Sequence, residues 1–234
     1  VEIAELQRIT GAGPDHWWYR ERRDLVAREL RRLGGPGHAV DIGPGTGDGC
    51  AVLLAHGWSA TAVDPVERAV ELCRARGAEA YWADPRLLPL PSGAYDLALA
   101  FDVLARYDDD HVAAAQLTRV LRPGGTALIT VPCDLTLWSA HDVALGRVRR
   151  HSRDTLAALI AGAGLSLDAM WSRNVLLRPV VRLRRHRVDG WETRHRGPVA
   201  NRVLGWMMAA ERRLPAAGGL PGTWLVARAH RPAE

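Results

Sequence analysis

The chain contains no lysine: all 31 of its basic residues are arginine. With abundant alanine alongside, this points to a GC-rich coding sequence rather than to a chemical requirement. Long apolar runs are absent too. No stretch reaches the ~18 residues of a membrane span, so no membrane-spanning segment is expected. Cysteine is scarce, and Cys50, Cys73 and Cys133 follow no disulfide or metal-ligand spacing. They read as reduced, small hydrophobes, which suits a cytoplasmic protein. The opening stretch lacks the basic region and apolar core of a signal peptide, although it begins with Val1 rather than Met. Internal repeats and linkers are missing as well, so one domain over residues 1–234 is the expectation.

At 234 residues and 47% hydrophobic content, the chain is long enough to bury a sizeable core. Its net charge of +5 is modest but uneven: eleven arginines fall between Trp171 and Arg213, against Asp189, Glu192 and Glu211. Such a region suits an acidic substrate or an anionic surface, and equally a solvated helix face in an arginine-biased protein. No recognition motif accompanies the charge, so nucleic acid is not expected as a partner.

Hydrophobic periodicity outlines alternating strands and helices. Residues 15–33 form a helical pattern with Asp15 as N-cap and Leu25, Val26, Leu30 and Leu33 on one face, ended by Gly34 to Gly37. Strands are expected at 38–42, 59–64, 79–83, 95–101 and 126–131, with helices at 47–56, 66–76 and 109–121. A helix capped by Ser152 and reaching Ala163, a strand at 165–172, an amphipathic helix at 199–214 and a strand at 223–229 follow. Residues 133–151 read as loop or short helix, and 173–198 show no clean period. Strands separated by helices imply parallel pairing in a doubly wound α/β sheet. Its ligand belongs at the carboxyl ends of the strands, at the topological switch point.

Where the first strand ends, the chain reads Val40-Asp41-Ile42-Gly43-Pro44-Gly45-Thr46-Gly47. Glycines at that spacing let the backbone turn tightly and press against a ligand, because no Cβ intervenes. A dinucleotide fingerprint runs G-x-G-x-x-G, whereas this one runs G-x-G-x-G, which points away from a pyrophosphate. Four more landmarks follow in order: Asp64 in Ala62-Val63-Asp64-Pro65, Asp84 in Ala83-Asp84-Pro85-Arg86, the strand Tyr95-Asp96-Leu97-Ala98-Leu99-Ala100, and the turn Leu121-Arg122-Pro123-Gly124-Gly125. Together they resemble the class I S-adenosylmethionine-dependent methyltransferases, from residue 15 to 172 and more loosely to 230. The resemblance implies a Rossmann-like fold with a seven-stranded, mostly parallel sheet flanked by helices. It divides the chain into an N-terminal lid helix (1–37), a cofactor-binding half (38–131) and an acceptor-binding half (132–234) with an inserted helix before the last strand.

The resemblance also implies S-adenosyl-L-methionine as cofactor, S-adenosyl-L-homocysteine as product, and no metal. Gly43, Gly45 and Gly47 would pack the backbone against the methionine and ribose portions. Asp64, followed by Pro65, would accept from both ribose hydroxyls, and Asp84 with Pro85 would address the adenine amine and ring edge. Phe101 joins the cofactor site at the end of the fourth strand, and Asp41 would orient the glycine loop or the cofactor's amino group. The competing structural roles are a helix cap for Asp64 and an Asx-turn for Asp84.

Two further stretches are similar to bacterial small-molecule methyltransferases. His16-Trp17-Trp18-Tyr19-Arg20 resembles their aromatic lid, which covers the cofactor and excludes water. Tyr19 and Arg20 are the expected contacts, while the tryptophan pair suits packing against the sheet equally well. The segment Leu137 to His151 resembles their Trp-Ser-x-x-Asp … Arg-Arg-Tyr stretch over the acceptor, with His151 where an aromatic is more common. It offers Trp138, His141 and Arg150 to a substrate. One departure stands out: the family often reads Asp-Val-Leu-Glu-His after the fourth strand, and here Asp102-Val103-Leu104-Ala105-Arg106-Tyr107 stands instead. Arg106 then either binds an acidic acceptor or is an exposed helix residue.

Methyl transfer from a sulfonium depends first on proximity and alignment. A general base is needed only where the acceptor must shed a proton. His141 and then His151 are the candidates, since imidazole titrates near neutrality, with Asp142 placed to orient either one. A solvated or structural loop histidine is the plainer alternative. Asp108-Asp109-Asp110 suits a helix start better than a magnesium ion. The expected function is transfer of a methyl group to an oxygen or nitrogen of a small molecule, a secondary metabolite given the actinobacterial-type composition. An acidic or lipid-linked acceptor is the alternative, suggested by the 173–213 arginines and by Val199, Val203, Leu204, Trp206, Met207 and Leu214. That apolar face also suits a homodimer. A cofactor-binding protein without transfer and a nicotinamide oxidoreductase complete the alternatives. The glycine spacing and the Leu-Arg-Pro-Gly-Gly turn argue against the last.

Overall fold

Tyr95–Phe101 is a near-continuous apolar run, the mark of a strand covered on both faces. In the structure, a computed structural model describing residues 16–184, 197–213 and 219–233, it is the central strand. Among the described residues seven strands form one sheet: β1 (His38–Ile42), β2 (Ser59–Asp64), β3 (Glu79–Trp82), β4 (Tyr95–Phe101), β5 (Leu121–Pro132), β6 (Ser166–Arg173) and β7 (Trp224–His230). Their order is β3-β2-β1-β4-β5-β7-β6, with β7 antiparallel between β5 and β6 and every other pairing parallel. Strand order reverses between β1 and β4, so the crevice outside their carboxyl ends is the switch point.

The helices are α1 (Trp17–Leu33), α2 (Asp48–Ala55), α3 (Glu67–Ala75), α4 (Asp110–Val120), α5 (Ala140–Ala144), α6 (Arg153–Gly162), α7 (Arg178–Arg184) and α8 (Pro198–Arg212). Alternation along β4 divides the core between the two faces. Leu97, Leu99 and Phe101 pack with Leu25, Val26 and Leu30 of α1, Leu53 of α2 and Val70 of α3. Ala98 and Ala100 pack with Leu117 of α4 and Leu156 and Ile160 of α6. Burying each large apolar side chain of α1 stabilises its docking by about 1.5–3 kcal/mol. All three cysteines are buried and free. Among the described residues no helix is long and apolar enough to cross a membrane.

Boundaries differ from expectation where tertiary contacts intervene. The His16 ring caps α1 by accepting from the Trp18 N–H (3.4 Å), while Asp15, the expected cap, lies outside the described residues, as does Leu214. β5 starts at Leu121, opposite Tyr95, and a register shift before Leu97 absorbs the Pro-Gly-Gly segment read as a turn. There a Cβ on Gly125 would lie 2.9 Å from two carbonyl oxygens. The stretch without a clean period contains α7, and its residues 185–196 lie outside the described ones. α8 holds α1 in place: Asn201 Oδ1 accepts from the Trp17 N–H (2.7 Å), and Arg212 pairs with Glu21. Trp17 packs with Leu177, Leu204 and Met208, whereas Val199, Val203 and Trp206 are exposed.

Candidate active site

The chain after β1 turns through left-handed backbone at Gly43 (φ 69°) and Gly45 (φ 57°), which a side chain would strain. Asp64, buried at the end of β2, holds this loop by accepting from the Gly45 N–H (3.2 Å) and the Val66 N–H (2.8 Å). Gly49, in the first turn of α2, lies so close to Asp41 that a Cβ there would be 2.1 Å from Asp41 Oδ2. Asp41 itself is buried, and burial pushes its carboxyl up to about 7 against the pull of Arg22.

Above the loop lies a cleft of about 100 Å³, partly open to solvent. Trp18, Tyr19, Arg22 and Arg23 of α1 line one side, Asp41, Gly43 and Gly45 the floor, and Phe101, Asp102 and Arg106 the end of β4. His141 and Leu145 of α5, then Arg147 and Trp224, complete it. Arg22 bridges the cleft: its Nη2 meets Asp102 Oδ2 at 3.1 Å, and its guanidinium lies 5.0 Å from the Phe101 ring centroid. Asp102 takes a left-handed φ of 66° and is locked to β5, donating to Thr130 O (2.8 Å) and accepting from Thr130 Oγ1 (3.0 Å). Arg147 lies 4.7 Å from the Trp224 ring centroid.

The segment that carries His141 is organised by Asp142, which is fully buried. Asp142 accepts from Arg147 (2.9 Å), from Arg150 (3.0 Å) and from the Ser139 N–H (3.0 Å), and those two guanidinium groups hold its carboxyl below the ordinary range despite burial. It therefore orients the segment through arginines.

Of the residues singled out in the sequence, the fold brings Tyr19, Asp41, Gly43, Gly45, Phe101, Arg106 and His141 together around the cleft. The others lie elsewhere. Arg20 is exposed and does not line the cleft. Gly47 caps α2, where a Cβ would press on Cys73 and Arg76. Pro65 is exposed, and its carbonyl accepts from Trp82 Nε1 (3.0 Å). Asp84 forms the Asx-turn, accepting from the Arg86 N–H (2.8 Å) and pairing with its guanidinium (2.6 Å), which pulls the Asp84 pKa down; Pro85 is buried in that turn. Trp138 is half-exposed at the end of a 3-10 turn, outside the cleft lining. Arg150 is spent on Asp142 and Cys133 O. A bridge to Cys133 carries His151 into the interior, 3.8 Å from Asp110, where burial pulls its pKa down. The acidic run 108–110 is taken up in ion pairs, Asp109 with Arg86 and Asp110 with Arg149.

Arg22, Arg23, Gly49, Asp102, Leu145, Arg147 and Trp224 also line the cleft and were not among the expected site residues. Arg22 and Arg23 follow Tyr19 by three and four residues, the spacing of one helix face, so that signal was present. Gly49 continues the every-second-residue glycine pattern by one more step.

The profile of a family described as a methyltransferase domain matches residues 15–169. A Mycolicibacterium smegmatis protein, described as a probable S-adenosylmethionine-dependent methyltransferase, is 27% identical over 166 residues, covering 68% of this chain and 63% of that one. The 23S rRNA (guanine(748)-N(1))-methyltransferase of Streptomyces fradiae is 34% identical over 148 residues, covering 60% and 50%. The chain thus spans between half and two thirds of the length of these curated relatives. Among solved structures, a chain in the Haloferax volcanii complex of the Trm112 methyltransferase activator with a methyltransferase superposes with a TM-score of 0.69 at 19% identity, covering 99% of this chain and 96% of that one. That likeness shows a shared fold.

Proposed function

The chain belongs to the methyltransferase domain family, and from that premise we propose that it transfers a methyl group from S-adenosylmethionine to an oxygen or nitrogen of a small molecule. The observation that carries the reading is the cradle at the end of β1. Gly43 and Gly45 bare the backbone, and Asp41 lines the cleft with no ion-pair partner among the described residues. An ammonium group satisfies that carboxylate, and Arg22 and Arg23 stand nearby on α1 for a carboxylate. These residues fit an amino-acid-bearing sulfonium cofactor. When bound, that cofactor supplies an electrophilic methyl whose bonding electrons return to sulfur as the acceptor's lone pair forms the new bond.

The protein's share is placement. The aromatic face of α1 and the Arg22–Asp102 bridge cover one side of the cleft, and water displaced there when the ligands bind strengthens the charge interactions inside it. His141 is the base that takes the acceptor's proton; Arg150 and His151 are left with structural roles. A cleft bridged on one side favours a free small molecule over a base held in a polymer.

The test is transfer of tritiated methyl to phenols, amines and total RNA offered together. Label is expected in the small-molecule fraction, and His141→Gln should lower turnover roughly 10²–10⁴-fold while S-adenosylhomocysteine affinity stays unchanged. Label in RNA alone, or none anywhere, contradicts the reading.

A further inference from the structure

Arg106 ends the 3-10 turn Leu104–Arg106 that follows β4. Its N–H donates to Val103 O (3.1 Å), and Ala105 O accepts from the Val148 N–H (2.9 Å), which pins the turn to the segment carrying Arg147. The Arg106 side chain lines the cleft. Its Nε is closed off from solvent and has no hydrogen-bond partner, and among the described residues no carboxylate pairs with it. The other cleft arginines are engaged: Arg22 with Asp102 (3.1 Å), Arg23 with Asp48 (3.8 Å), Arg147 with Asp142 (2.9 Å). Burial, then the neighbouring Arg147 and Arg22, pull the Arg106 pKa down, against the opposing pull of Asp102 and Asp64. The side chain is partly buried, and a guanidinium N–H that is closed off from water and left without an acceptor is costly; a ligand anion removes that cost.

We propose that Arg106 anchors an oxyanion subsite in the cleft and that the methyl acceptor carries a carboxylate or phosphate bound there. That the anion belongs to an acceptor rests on the methyltransferase reading; the subsite itself does not. A guanidinium presents a planar fork that matches either group with two parallel hydrogen bonds. The Phe101 and Trp224 rings line the same cleft, so the acceptor's body is flat or apolar. The cofactor's own carboxylate is the rival occupant. Arg22 is the cation that acts on Asp41, and a guanidinium carries five N–H donors, so its pairing with Asp102 leaves others for that carboxylate, whereas Arg106 neighbours Arg147 beside the His141 segment.

The experiment titrates benzoate and inorganic pyrophosphate into the full chain, alone and saturated with S-adenosylhomocysteine, for wild type, Arg106→Met and Arg106→Lys. Arg106→Met should weaken probe binding roughly tenfold to a hundredfold, and Arg106→Lys less. S-adenosylhomocysteine affinity should shift less than about threefold in either variant. Arg106→Met should also be at least as stable as wild type in urea, since it removes a closed-off N–H that has no acceptor. Probe binding that is absent from wild type, or equal in Arg106→Met, overturns the subsite. So does a marked loss of stability, which would reveal a structural partner. Weakened S-adenosylhomocysteine binding with probe binding intact assigns the anion to the cofactor and overturns the acceptor claim. If S-adenosylhomocysteine fails to bind wild type while Arg106→Met still loses the probes, the subsite stands and the methyltransferase reading falls.

Discussion

Asp142→Asn removes one negative charge at a fully buried position and changes little else in shape. The carboxylate meets Arg147 at 2.9 Å and Arg150 at 3.0 Å, and both arginines are themselves buried. An asparagine still accepts one hydrogen bond, but two desolvated guanidinium groups then face a neutral amide. Breaking a buried pair in this way costs about 3–5 kcal/mol; the retained acceptor places the expected loss at the low end. For a chain of this size about 3 kcal/mol lowers the melting temperature by roughly 6–12 °C. Urea unfolding at pH 7 measures the free energy directly. The pH dependence carries the same signature. The folded-state pKa of Asp142 is depressed, so its contribution is present above the unfolded value near 4 and is lost as pH falls through the depressed one. The gap between wild type and Asp142→Asn should therefore close only in acid. A loss below about 1 kcal/mol at pH 7, or a gap independent of pH, refutes the reasoning.

Gly49→Ala places a Cβ against Asp41 Oδ2. It should cost about 1–3 kcal/mol by overpacking and weaken S-adenosylhomocysteine binding, with Asp41→Ala restoring stability but not binding in the double variant. Asp41, with its pKa raised to about 7 by burial, supplies a pH profile. Only the ionised carboxyl pairs with an ammonium, so S-adenosylhomocysteine affinity should rise roughly tenfold from pH 6 to pH 8 and then level off. The ligand-free protein moves the other way. A raised acid pKa gives stability below the unfolded value that is lost as pH climbs through 7, and Asp41→Asn should flatten both curves.

The strands were legible because covered parallel strands demand apolar runs, and β1, β2 and β4 fall on the expected residues. The glycine loop was legible for the same kind of reason, since only glycine tolerates its backbone. The carboxylates were harder. Asp84 and Arg86 sit two residues apart, so their pairing was open to local reasoning, and the Asx-turn alternative fits where the structure puts them. Asp64 is tied to a loop nineteen residues away, and its use in holding Gly45 depends on how two strands align. Arg22–Asp102 and the Asp142 cluster join elements that meet only in three dimensions. Periodicity does not carry such partnerships. The departure Ala105-Arg106 was visible in the sequence, but that the Arg106 Nε is closed off without a partner follows only from the packing of the turn.

Calorimetric titration of the full chain with S-adenosylmethionine, S-adenosylhomocysteine and a nicotinamide dinucleotide tests the central claim most directly. Micromolar binding of the first two, weakened in Asp41→Asn and absent for the dinucleotide, is the result predicted here. Binding of neither sulfur compound, or of the dinucleotide in their place, would contradict it.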